Sequence, residues 1–163
     1  MKRNMRTSER ARSPLWRRGA ARLAGDRSGA AAVEFGLIAP VLLMMLLAIV
    51  QFGLTLNNYL ELTDGVRVGA RNFAISGTST TPWTGAKTAT TNAAANLTAA
   101  NITLTFSVNG TACSSDSTCQ ALLAADAGDA ATVTGTYPCS LKVMGVNFAS
   151  GCTLTSTTSE MVE

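Results

Sequence analysis

Residues 26–52 read DRSGAAAVEFGLIAPVLLMMLLAIVQF, and this stretch decides the fold of the chain. Every side chain from 35 to 50 is apolar, glycine or proline. Together with the alanines at 30–32, the run reaches the roughly 20 residues that cross a bilayer as a helix. The stretch therefore predicts a membrane-spanning helix near the N-terminus.

One acidic residue, Glu34, interrupts this run near its N-terminal end. A carboxylate costs about 2 to 3 kcal/mol at the centre of a bilayer and less towards its surface. A cut after Gly29 would make Glu34 the fifth residue of a new chain that begins at Ala30. Its new amine is a cation, because an α-amino group titrates at about pH 8. Glu34 could then pair with the amine of a neighbouring subunit. Alternatively, the helix is an uncleaved signal anchor and Glu34 reaches the cytoplasmic headgroups.

The residues around Gly29 resemble the processing site of type IV pilins and pseudopilins, in which a basic leader, a glycine, a glutamate and an apolar helix follow one another. The longer pattern GAAAVEFGLIAPVLLMMLLAIVQFG, with Phe35 after the glutamate and Pro40 inside the run, resembles the TadE-like minor pilins more narrowly. The segment ELTDGVRVGAR at 61–71 is similar to the helix that follows the membrane in that family. The ending TLTSTTSEMVE is similar to its closing strand.

The resemblance implies a structural subunit of a Tad-type pilus. It implies processing between Gly29 and Ala30, and roles in assembly for Glu34, Phe35 and Pro40. The implied partners are a prepilin peptidase, the Tad membrane platform, the major pilin, other minor pilins and membrane lipid. The implied location is the bacterial inner membrane, with a single pass, a cytoplasmic N-terminus and an outer C-terminal domain, or the pilus itself.

Two other functions stay open at the level of sequence. An uncleaved, TadG-like accessory protein would keep its leader and never enter a filament. An adhesive module at a pilus tip would bind through the Ser/Thr-rich loops at 78–83 or 114–118.

Charge is distributed unevenly along the chain. Residues 1–28 carry nine basic and two acidic residues, a net of +7, whereas the rest carries four basic and eight acidic residues, a net of −4. The basic segment before the helix predicts a cytoplasmic N-terminus. We expect a leader at 1–29, a transmembrane helix at 30–56 and one outer domain at 57–163, since about a hundred residues make one small domain.

Two alternatives for the basic leader are disfavoured. Clustered arginines can bind nucleic acid, but no recognition motif accompanies them and a membrane helix follows at once, so no nucleic-acid partner is predicted. A cleavable secretory signal has an apolar core of about 7 to 15 residues that ends at a small-residue site. Here the apolar run is longer and the small residues precede it.

Four cysteines are the remaining chemical feature. All of them, Cys113, Cys119, Cys139 and Cys152, fall in the half predicted to be outside the cytoplasm, where disulfides form. Three pairings are possible, and we favour the local one, Cys113 with Cys119 and Cys139 with Cys152. Zinc is disfavoured, because the chain has no C-x-x-C motif and no histidine. With no phosphate loop, G-x-S-x-G or paired carboxylates, we predict no enzyme, no cofactor and no metal.

The predicted fold class is α+β, with the long helix continuing into a small domain that has a short helix and an antiparallel sheet of about four strands. We expect the long helix to run from Ser28 or Gly29 to Ala74, with a kink or a melted turn at Pro40. Past residue 53, spacings of three and four predict one buried stripe, Tyr59, Leu62, Val66, Ala70 and Phe73. The opposite face is expected to be solvated and carries Glu61, Asp64, Arg67 and Arg71.

Smaller features complete the expectation. Small residues four apart predict close approach of another helix, as at Ala32 with Gly36 and at Gly65 with Gly69. Residues 86–100 are expected to form a second helix, and 113–119 a closed loop followed by one or two helical turns at 120–127. Strands are expected at 102–108, 131–137, 140–146 and 153–158, with a tight turn at Asn109-Gly110 after the first.

Overall fold

The computed structural model describes residues 27–139, 142–143 and 145–163. The predicted leader therefore lies outside the described residues, apart from positions 27–29. Contacts divide the chain into two compact units, Met1–Leu43 and Met44–Glu163. The described part of the first unit is helical throughout.

Helix α1 spans Arg27–Ala74, which confirms the predicted long helix. Of the described helices, it is the one long and apolar enough to cross a membrane, with a mean hydropathy of 2.5 over its best 18 residues, none of them buried. Within α1 the helical backbone continues through Pro40, so of the two predicted alternatives the melted turn is wrong and the kink stays a prediction. A membrane helix tolerates the loss of the one backbone hydrogen bond that a proline removes, because local adjustments and neighbouring groups satisfy the freed carbonyl.

Besides the rest of α1, the described residues of the second unit form two shorter helices and six strands. Helix α2 is Pro82–Ala93, a 3-10 turn follows at Ala99–Asn101, and helix α3 is Asp116–Ala125. The strands are β1 Thr103–Val108, β2 Thr111–Cys113, β3 Ala130–Pro138, β4 Lys142–Val143, β5 Val146–Asn147 and β6 Thr153–Met161.

Four of these strands form one antiparallel sheet in the order β2-β1-β3-β6, which confirms the predicted α+β class. The turn between β1 and β2 is the predicted one, with Asn109 at φ 48° and Gly110 at φ 78°. This left-handed pair is the backbone of a two-residue hairpin.

The predicted strand at 140–146 is wrong as a member of that sheet. Lys142–Val143 pairs instead with Val146–Asn147 in a separate two-stranded ribbon. Gly145 has φ 84°, a left-handed conformation that reverses the chain between the two segments. The fourth strand of the main sheet is β2, a segment for which no strand was predicted.

The core lies between the C-terminal half of α1 and the face of the sheet that packs against it. Leu62, Val66, Ala70 and Phe73 are fully buried, as predicted, whereas Tyr59 is 40% exposed and lies outside the stripe. The Phe73 ring contacts Phe106 edge to face at 5.2 Å between centroids. Such aromatic pairs stabilise the fold by about 0.5 to 1.5 kcal/mol beyond the contribution of the apolar area that they bury.

The outer face of the sheet carries a regular array of hydroxyl groups. Three rows cross β1, β3 and β6, and each row holds three Ser or Thr residues: Thr103, Thr136 and Thr155; Thr105, Thr134 and Thr157; Ser107, Thr132 and Ser159. Hydroxyls of neighbouring strands hydrogen-bond at 2.9 Å for Thr134 with Thr157 and 2.8 Å for Thr132 with Ser159. These two bonds link β3 to β6 in two of the three rows, and neither involves a charged partner.

Candidate functional site

The residues predicted to matter for processing and assembly all lie on α1 and are exposed. Gly29, Ala30, Glu34 and Pro40 are open to the surroundings, and 68% of Phe35 is exposed. A β-carbon built on Gly29 would meet no atom within 4 Å. Packing among the described residues therefore does not require a glycine at this position.

The two pairs of small residues on α1 differ in what surrounds them. A β-carbon on Gly36 would meet nothing within 4 Å, and Ala32 is exposed. A β-carbon on Gly65 would instead lie 2.9 Å from the Thr90 carbonyl oxygen, and one on Gly69 would overlap Thr90 Oγ1. The predicted close helix approach is confirmed for Gly65 and Gly69, where α2 packs against α1.

The prediction that Glu61 lies on a solvated face of α1 is wrong. Its Oε1 accepts hydrogen bonds from Asn96 Nδ2 at 2.6 Å and from Asn57 Nδ2 at 3.2 Å. Its Oε2 is buried and accepts no hydrogen bond from the part of the chain that the structure describes. The other three residues of that face, Asp64, Arg67 and Arg71, are exposed as expected. Asn96 could not be matched to Glu61 from the sequence, because 35 residues separate them.

The first disulfide, Cys113–Cys119, joins the end of β2 to helix α3. Both cysteines are buried. The predicted closed loop between them is wrong in part, because α3 begins inside it at Asp116. Ser115 caps the helix by accepting from the Thr118 amide at 3.3 Å, and the Thr118 hydroxyl accepts from the Ser115 amide at 3.2 Å. This reciprocal cap was the signal in the sequence that would have located the helix start.

Asp116 links α3 to α2. Its carboxylate accepts from the Thr84 amide at 2.8 Å and from the Thr84 hydroxyl at 2.6 Å. The hydroxyl bond, followed by the amide bond, lowers the pKa of Asp116 below its ordinary value of 3.8. The contact therefore favours the charged carboxylate, which also suits the first turn of a helix.

The second disulfide, Cys139–Cys152, closes the segment that contains β4 and β5. The Cys139 amide donates to the Cys152 carbonyl at 3.1 Å, so a backbone hydrogen bond joins the two ends of the segment in addition to the disulfide. Cys139 also lines an open cleft of about 390 Å³ together with Leu54, Thr55 and Asn58 of α1. No group of three or more His, Cys, Asp or Glu side chains in the described residues is arranged to hold a metal ion.

In the residues that the structure describes, one helix that could span a membrane is followed by a small α+β domain with two disulfides. Residues 29–71 match the family model described as TadE-like protein. The match begins at Gly29 and ends within the outer half of α1, so the predicted resemblance to the TadE-like family is confirmed over this segment. No curated protein and no solved structure matches the chain.

Proposed function

We propose that this protein is a membrane-anchored structural subunit of a Tad-type pilus, with the role of a minor pilin. The observation that carries the proposal is the family match over 29–71, which starts at the glycine predicted to precede the cut. The exposed apolar side chains of α1 support it, because a helix with no buried residue in its most apolar window needs lipid or other helices around it.

The processing step is proposed to cleave the Gly29–Ala30 peptide bond. A β-carbon at Gly29 would meet no atom of the described residues within 4 Å, so a narrow peptidase site explains its small size better than packing against these residues does. Cleavage removes the basic leader and leaves the amine of Ala30 at the start of α1. Mature subunits then associate through their apolar helices. The proposed partners of the protein are the prepilin peptidase, the Tad platform, the major pilin and other minor pilins.

Glu34 is proposed to pair with the Ala30 amine of a neighbouring subunit during assembly. It has no polar partner among the described residues of its own chain, and the residues around it in sequence are apolar. Pairing with an amine of opposite charge offsets the cost of keeping a carboxylate in an apolar environment.

The experiment that tests this function compares two glycines of α1 that are equally free of contacts. Gly29→Trp should block cleavage, whereas Gly53→Trp should be cleaved like the unmodified chain, because Gly53 lies far from the cut along α1. A β-carbon at either position meets no atom within 4 Å, so the two substitutions are matched in their effect on packing. Both variants are expressed in cells that contain an active prepilin peptidase, and the membrane form is analysed by intact-protein mass spectrometry. An unmodified chain that keeps residues 1–29 would favour the TadG-like anchor and would contradict the minor pilin role.

A further inference from the structure

The second unit exposes two large apolar side chains on the segment that the Cys139–Cys152 disulfide closes. Val146 is 57% exposed and Phe148 is 67% exposed. Beyond α1, the other large hydrophobic residues exposed in the described part of the chain are Ile75 and Met161, and neither is aromatic. Val146 and Phe148 lie two positions apart, so two large apolar side chains are exposed within one short segment, and such a segment suits contact with an apolar surface outside this chain.

The position of the disulfide shows which end of the unit carries this segment. Cys139 lines the same cleft as Leu54, Thr55 and Asn58, and these residues follow directly after the exposed apolar residues 44–50 of α1. At the other end of the unit, the Glu163 amide donates to the Ala74 carbonyl at 3.2 Å. Both ends of the segment, Cys139 and Cys152, therefore lie close to residues 54–58 of α1, which follow its most apolar part.

Charge separates this segment from the rest of the outer domain. Residues 139–152 contain one lysine and no acidic residue. The remainder of 57–163 contains three basic and seven acidic residues, a net of −4. Anionic lipid headgroups repel an acidic surface and attract lysine, so this segment is the part of the domain that suits a lipid surface.

We propose that Phe148 and Val146 enter the headgroup region of the bilayer that α1 spans, with Lys142 beside the anionic headgroups. The inference rests on the proposed membrane anchoring of α1. Two apolar side chains would bind a membrane only weakly by themselves. Because α1 holds them at the surface, the contact is intramolecular in effect and a weak interaction is enough. The contact gives the domain a second attachment that limits its rotation about the axis of α1 until the subunit leaves the membrane.

The test uses the full chain, purified and reconstituted into vesicles of phosphatidylethanolamine and phosphatidylglycerol. A photo-crosslinking benzoyl derivative of phenylalanine replaces one residue at a time, and lipid adducts are counted by mass spectrometry. Three positions are compared: Phe148, Met161 as an exposed control at the far end of the domain, and Leu46 as a positive control on the apolar part of α1. Met161 is 69% exposed and Leu46 is 61% exposed, so all three side chains are accessible in the free chain.

We expect position 148 to give severalfold more lipid adduct than position 161, with position 46 giving the most. Equal yields at 148 and 161, in vesicles where position 46 reacts with lipid, would overturn the membrane contact and leave the anchoring intact. Adducts at 148 to a second protein chain in place of lipid would also overturn it and would assign the segment to a subunit contact. Absence of lipid adducts at position 46 would overturn the proposed anchoring, and this inference with it.

Discussion

Thr90 occupies the space that a β-carbon at position 69 would need. The Thr90 hydroxyl donates to the Ala86 carbonyl at 2.8 Å inside α2, and it faces Gly69 across the contact with α1. Thr90 is fully buried, so its side chain has no adjacent solvent into which it could turn. The glycine is therefore required by packing between these two helices.

The first prediction is that Gly69→Ala destabilises the outer domain by about 1 to 3 kcal/mol, the usual cost of overpacking a core. Urea unfolding in detergent measures the change by fluorescence, with the full chain carrying Trp16→Phe so that the signal comes from Trp83. Gly53→Ala is the matched control, since a β-carbon there meets nothing within 4 Å, and it should cause no loss. Thr90→Ala should partly rescue Gly69→Ala because it removes the overlapping oxygen. Strictly additive effects of the two substitutions would contradict the assigned contact.

The second prediction concerns the acid sensitivity of the contact between α2 and α3. Because the folded state lowers the pKa of Asp116, the stability that this group contributes is present above about pH 4, its ordinary range. It is lost as the pH falls through the lowered pKa of the folded state. Asp116→Asn should therefore reduce the free energy of unfolding at pH 7, and the difference from the unmodified chain should shrink towards pH 2.

Thr84→Val provides the control for Asp116, because it removes the hydroxyl donor and leaves the backbone amide of residue 84 in place. Its pH dependence should follow the same direction as that of Asp116→Asn, with a smaller size. Parallel stability curves for Asp116→Asn and the unmodified chain across this pH range would show that the carboxylate contributes nothing through Thr84.

The third prediction concerns the two disulfides. Thiol labelling of the denatured, unreduced chain should detect no free cysteine. Mild reduction should release Cys139 and Cys152 first, because Cys113 and Cys119 are buried whereas the second pair is partly exposed. Replacing Cys113 and Cys119 together by alanine should cost on the order of 2 to 3 kcal/mol, the loop-entropy value for a short closed loop. Labelling of all four cysteines would rule out both bonds.

Sequence patterns predicted the elements that depend on local rules. The long helix, the hairpin turn at Asn109-Gly110 and strand β3 follow from hydrophobic periodicity and from the backbone freedom of asparagine and glycine. Helix α2 was predicted at 86–100, whereas it spans Pro82–Ala93. Its start was predicted four residues too late because Pro82 was assigned to a loop, although proline is well suited to the first turn of a helix.

The features that the sequence did not predict depend on contacts between distant residues. Strand β2 has only three residues and becomes a strand by pairing with β1. The link from Asp116 to Thr84 spans 32 residues, and that from Glu61 to Asn96 spans 35. No local pattern marks either partner, since isolated threonines and asparagines are abundant in this chain.

The last prediction concerns Glu34, whose carboxylate lies at the edge of the apolar part of α1. If Glu34 pairs with the Ala30 amine of a neighbouring subunit, then Glu34→Leu leaves that amine without a counter-ion. The loss is on the order of 3 to 5 kcal/mol for an orphaned buried charge, which is enough to stop assembly. Membrane insertion and cleavage after Gly29 should survive, because a leucine suits the bilayer better than a glutamate does.

Surface pilus yield, or crosslinking to other pilin subunits, measures this effect at matched protein levels. Glu34→Gln keeps the shape of the side chain without its charge and should fail like leucine. Glu34→Asp keeps the charge on a shorter side chain and should retain part of the yield. In the signal-anchor alternative, Glu34 only reaches the headgroups, and its removal should relieve a cost and leave function unchanged. Normal assembly by both Glu34→Leu and Glu34→Gln would therefore rule out the charge pair and leave Glu34 as an interfacial residue of a membrane anchor.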